Sequence, residues 1–171
     1  TGGLTLNGTG LASLGALINS STSGATYAGL VTLGSATTIT GGAGTIALSN
    51  SGTIGGTYDL ALYGAAGGSI ASIIGIGSGR ISKSGAGTWT LSGANTFTGA
   101  VTVSAGTLRA ASNTALGTVA GGVTVANGAT LELGGPASPG GLTIGAEALT
   151  VSDGGSIHNV AGYNTYAGAM T

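Results

Sequence analysis

The sequence predicts an all-β chain coiled as a single-stranded parallel β-helix. Three observations point there: short pieces that alternate apolar residues with Thr, glycine far in excess of proline, and recurrence of the same pieces at near-constant spacing. The 171 residues include 38 Gly and only 2 Pro. Gly does not occupy every third position, which excludes a collagen helix. Hydrophobic residues make up 42%, so the chain has the apolar surface that a disordered sequence lacks.

The strand pieces are three to five residues long. In chain order they include Leu4-Thr5-Leu6, Val31-Thr32-Leu33, Thr45-Ile46-Ala47-Leu48, Thr88-Trp89-Thr90-Leu91, Val101-Thr102-Val103 and Thr130-Leu131-Glu132-Leu133. Each has the period-two alternation of a half-buried strand, with Gly, Ser and Asn between pieces marking turns. No window carries a 3.6-residue apolar stripe, so helix is expected to be close to absent.

Two series of strands run in phase in the C-terminal half. Val101-Thr102-Val103, Val123-Thr124-Val125 and Leu142-Thr143-Ile144 form one; Thr107-Leu108-Arg109, Thr130-Leu131-Glu132-Leu133 and Leu149-Thr150-Val151 form the other. The step is roughly 19–23 residues, the length of one solenoid coil, which gives about seven or eight coils. The expected core ladder places Val101 over Val123 over Leu142, with Thr102, Thr124 and Thr143 outward. A longer repeat joins the ends. Gly15, Ile18, Thr26-Tyr27-Ala28-Gly29 and Thr32 match Gly154, Ile157, Thr165-Tyr166-Ala167-Gly168 and Thr171 at one offset. Residues 1–171 are therefore read as one continuous solenoid segment, in which 1–32 resembles 149–171 across a super-repeat of about 140 residues. No signal peptide stands at the first residue, and the expectation is a piece from the interior of a longer tandem array.

Charge excludes several functions. Only 4% of residues are charged: Asp59, Arg80, Lys83, Arg109, Glu132, Glu147 and Asp153. The formal net charge of −1 supplies no basic stripe for nucleic acid and no polybasic membrane anchor. The longest apolar stretch, Ile70 to Ile76, is too short and too interrupted to span a bilayer. Without Cys, stability must come from repetition rather than disulfides.

One segment carries a resemblance. Lys83-Ser84-Gly85-Ala86-Gly87-Thr88-Trp89-Thr90-Leu91-Ser92-Gly93-Ala94-Asn95-Thr96-Phe97-Thr98-Gly99 runs on to Val101-Thr102-Val103 and Gly106-Thr107-Leu108. It resembles the autotransporter-associated β-strand repeat of large bacterial exoproteins, with every fixed position filled over about a seventh of the chain. The blocks around Tyr27 and Tyr166 look like turns that flank this repeat. The resemblance implies a right-handed β-helix, secretion across a Gram-negative envelope, and an extracellular or cell-surface location. The motif also has a direct physical reading. Gly85, Gly87, Gly93, Gly99 and Gly106 suit corners that need positive φ or close approach of neighbouring coils. Asn95 suits a turn, Trp89 and Phe97 are candidates to cover corners, and Leu91, Val101, Val103 and Leu108 suit the core.

Catalytic chemistry is poorly provided for. Glycoside cleavage needs two carboxylates across one bond. Asp59, Glu132, Glu147 and Asp153 are the only acids, and each reads as a solvated surface residue, Glu132 outward from its strand and Glu147 and Asp153 in or near turns. His158 is the single His, and its counterpart in the other copy is Asn19, so it makes a poor general base. No metal-ligand cluster exists, and no cofactor is expected. The Gly64-Ala65-Ala66-Gly67-Gly68 run lacks the Gly-Lys-Thr ending of a phosphate loop.

The expected function is a non-catalytic structural module of a repetitive extracellular bacterial fibre or surface protein, such as a filament, stalk or biofilm matrix scaffold. Its first expected partner is itself, by coil-on-coil stacking or side-by-side packing. The alternative is an adhesin that binds glycan or a host or neighbouring cell surface through a β-helix flank, where Tyr58, Tyr63, Tyr163 and Tyr166 are available. Ice binding through Thr columns and polysaccharide-active chemistry rank lower.

Overall fold

The computed structural model describes residues 2–134 and 141–171. All strand pairings among them are parallel, and the chain winds as a β-solenoid of about seven turns. An eight-stranded sheet forms one side. Its path runs Leu4–Gly8, Val31–Gly41, Leu60–Tyr63, Ile81–Lys83, Val101–Val103, Val123–Val125 and Leu149–Val151, with Leu17–Asn19 paired to the far half of Val31–Gly41. A seven-stranded sheet forms the second side: Ala25–Tyr27, Ile46–Leu48, Gly67–Ile70, Thr88–Leu91, Gly106–Ala110, Ala129–Leu133 and Ser156–Asn159. A third side carries two strand pairs, Thr53–Ile54 with Ile73–Ile74 and Thr143–Ile144 with Thr165–Tyr166. Between them Thr96 N donates to Ile74 O and Thr118 N to Phe97 O, so the ladder continues through the corner. The only helical piece among the described residues is the 3-10 turn Leu11–Ser13.

The period-two reading of the strands is what the burial shows. Val101 and Val103 are buried about a half-buried Thr102, and Leu108 and Ala110 about Arg109. Inward residues of all three sides meet in one continuous core, from Leu6 through Leu62, Leu91 and Val125 to Leu149. A narrow solenoid has no other way to remove apolar area from water, since each coil is only one side chain deep.

Coil length follows the expectation through the middle of the chain. Thr88 stands against Thr107, Ile81 against Val101, Val101 against Val123 and Gly106 against Ala129. The last rung of each series is a correction. Val123 stands against Leu149, not Leu142, and Thr124 against Thr150, not Thr143. The second series ends on Ser156–Asn159. Leu142 is buried, but its segment lies on the third side, where Leu142 N donates to Asn164 Oδ1 and Thr143 N to Asn113 Oδ1. The two tripeptides share one pattern, and side-chain acceptors on neighbouring coils decide which of them enters the first sheet. Residues 135–140, which contain both prolines, lie outside the described residues.

Candidate functional site

The motif coil is built around a buried lysine. Lys83 lies in the strand Ile81–Lys83, points inward and is fully buried. Its Nζ donates to the carbonyl oxygens of Ser84 at 3.2 Å, Gly85 at 2.7 Å and Ala105 at 2.8 Å. All three ammonium donors are thus used, two on its own corner and one on the next coil. Burial lowers its pKa from 10.5 to about 8. The group stitches two corners together and has no donor left for chemistry.

Trp89 is the correction among the aromatics. It sits in mid-strand, is fully buried, and fills the interior against Gly68 rather than capping a corner. Its Nε1 donates to the Tyr63 carbonyl of the preceding coil at 3.1 Å. Phe97 is also fully buried, on the third side, against Gly117. Asn95 is buried and bonds to coils on both sides: Ile74 N donates to its Oδ1 at 2.8 Å, and its Nδ2 donates to Ala115 O at 2.7 Å. Both halves of one amide thereby replace ladder bonds that the turn cannot make. The motif glycines divide as the two expected reasons allow. Gly85 and Gly106 have φ of 77° and 64°, whereas Gly87, Gly93 and Gly99 leave no room for a Cβ against the backbone of the preceding coil. Thr88 lies half-buried beside Trp89 in its strand, and Leu91, Val103 and Leu108 are core.

The signal of Asn95 extends further than the motif. Asn50 bonds Ala28 O and Gly52 N, Asn19 bonds Thr45 O, and Asn164 bonds Leu133 O and Leu142 N. These asparagines were legible as turn residues, but nothing in their spacing showed which coils they join.

The acids behave unequally. Glu132 pairs with Arg109 along the outward column of the second sheet, Nε to Oε2 at 2.6 Å, and the exposed His158 stands opposite Glu132 on the next strand. Asp59 accepts from the Arg80 backbone N–H at 2.8 Å, and Asp153 is exposed in a turn. Glu147 overturns the surface expectation: it is 2% exposed, and its Oε2 has no hydrogen-bond partner. It lines a cleft of about 450 Å3 on the third side with Asn95, Asn113, Thr118, Val119 and Gly145. No other carboxylate lines that cleft, so a two-carboxylate hydrolytic arrangement is not formed there. Tyr166 lies close behind. Its hydroxyl is buried and unpartnered, and burial followed by the charge of Glu147 raises its pKa to about 12. Among the described residues no group of three or more metal-ligating side chains occurs.

The exposed tyrosines do not gather. Tyr58 and Tyr63 lie in one coil, and Tyr163 belongs to the last. The two ends compared above hold their Tyr blocks differently: Tyr27 pairs with Leu48 on the second side, Tyr166 with Ile144 on the third.

Comparison with known proteins places the motif coil. Residues 81–110 match the family model described as passenger-associated-transport-repeat. No curated protein and no solved structure is significantly similar to the chain. The match begins at the strand that carries Lys83 and ends at Ala110, so it covers one full coil plus the two strands of the next coil, Val101–Val103 and Gly106–Ala110, that stack on it. It points to the passenger region of an autotransporter.

Proposed function

We propose that the chain is a non-catalytic structural module of a repetitive surface or secreted protein of a Gram-negative bacterium, a rod that extends or assembles rather than reacts. The observation that carries this reading is the unbroken parallel register of the second sheet, in which seven strands pair in sequence. Each coil contacts only its neighbours, so stability is additive and length can grow without redesign. At about 4.8 Å per coil, seven turns make a rod roughly 35 Å long. The scarcity of charge, with 4% charged residues, leaves few ions for stacked coils to bury.

The adhesin reading ranks second. A glycan platform needs aromatic rings on a shared face, and the exposed rings are divided between distant coils. Electron microscopy of the native assembly separates the readings. Filaments or stalks with an axial repeat near one module are expected; globular particles would sink the rod proposal.

A further inference from the structure

We infer that the cleft around Glu147 is a binding site for a small organic cation bearing a primary ammonium group. The cleft spans three successive coils: Asn95 and Thr96, then Asn113 to Val119, then Thr143 to Glu147. Its volume of about 450 Å3 lies in the range of small-molecule sites.

An ionised carboxylate is not stably buried without a compensating cation or a set of donors. Glu147 is 98% removed from solvent by its 2% exposure, and its Oε2 receives no hydrogen bond. The chain owns three Lys and Arg residues, and all are committed or distant. Arg109 is paired with Glu132, Lys83 spends its ammonium on three carbonyls, and Arg80 is exposed beside Asp59. His158 is exposed on the second sheet. No cation of the chain pairs with Glu147, so an ammonium group of a ligand would supply the partner its Oε2 lacks. A metal ion fits poorly, because hard cations gather six or more oxygens and only one carboxylate is present.

The remaining walls suit an amine on a carbon skeleton. Thr118 Oγ1 is a second buried polar atom without a partner, and it lines the same cleft. Tyr166 keeps its phenolic proton up to about pH 12 and so stays a neutral donor behind Glu147. Gly117, Gly145 and Val119 offer apolar surface to the skeleton. This inference stands apart from the rod proposal: a rod without the site, or the site without a fibre, are both coherent outcomes.

The test uses the isotopically labelled 171-residue chain and follows amide shifts of Gly117, Val119 and Gly145 at matched ionic strength. D-Glucosamine is the first probe, D-glucose its neutral counterpart, and butylamine an ammonium without a ring. Glucosamine or butylamine should bind at least tenfold more tightly than glucose, as a charge-assisted bond requires. The stronger of the two distinguishes an amino sugar from a lysine-type amine. Glu147→Gln should abolish the preference for the amine. Val119→Lys, at a position 59% exposed, sets a competing ammonium in the cleft and should weaken amine binding at least tenfold by like charge. Equal binding of glucose and amine, or no response to either amine up to roughly 100 mM, overturns the assignment. Should Glu147→Gln fail to fold, amine binding that survives Val119→Lys overturns it as well.

Discussion

Lys83 shows how much a single residue does in a fold this thin. Its three carbonyl partners are corner groups that the parallel ladder leaves unpaired. Lys83→Met keeps the apolar stem and relieves the buried charge, but it orphans three carbonyl oxygens. A net loss of about 2–4 kcal/mol is expected in urea unfolding followed by the fluorescence of Trp89. The pH dependence has a definite sign. The unfolded lysine releases its proton near 10.5 and the folded one near 8, so the unfolded state binds more protons in that interval and stability rises with pH through it. Tyr166 opposes this above pH 10, because its folded pKa of about 12 lets only the unfolded chain ionise, and stability falls between about 10 and 12. Lys83→Met should flatten the rise and Tyr166→Phe the fall, measured as urea midpoints across pH 7 to about 11.5.

At the scale of the strand, close stacking explains the glycines better than turn geometry alone. Gly68 sits in mid-strand with Trp89 stacked on it, and a Cβ there would fall on the Ile46 carbonyl oxygen. Gly68→Ala should cost about 1–3 kcal/mol by overpacking. Gly55 meets nothing within 4 Å, and Gly55→Ala should change stability by less than about 0.5 kcal/mol in the same denaturation assay. The strands themselves were readable, because alternation of apolar residue and Thr reports which face is wet. Their assignment to sides was not. Leu142-Thr143-Ile144 and Leu149-Thr150-Val151 are the same word to a pattern search, and only the asparagine acceptors on adjacent coils place one on the third side and the other in the first sheet.

For the whole molecule, nearest-neighbour stacking predicts graded rather than uniform stability. Coils between about residues 60 and 130 have a partner on both sides, while the first and last have one. Amide hydrogen exchange should therefore be slowest at Leu91, Val103 and Leu108 and fastest at Leu17–Asn19 and Thr165–Tyr166. Uniform protection along the chain would mean that the solenoid opens as a single cooperative unit instead.

Alternation, glycine excess and phased spacing were enough to establish a parallel solenoid, its inward residues and the family resemblance of the coil that begins near Lys83. These are local properties, written in the period of the side chains and in the corners that only Gly tolerates. Tertiary structure decided what depends on neighbours one coil away. It set which tripeptide completes a sheet, that Lys83 is a clamp between coils, and that Glu147 is buried without a partner while Glu132, read as the same kind of surface acid, holds Arg109. A carboxylate's surroundings in a solenoid come from residues some 20 to 30 positions distant, and no local pattern encodes them.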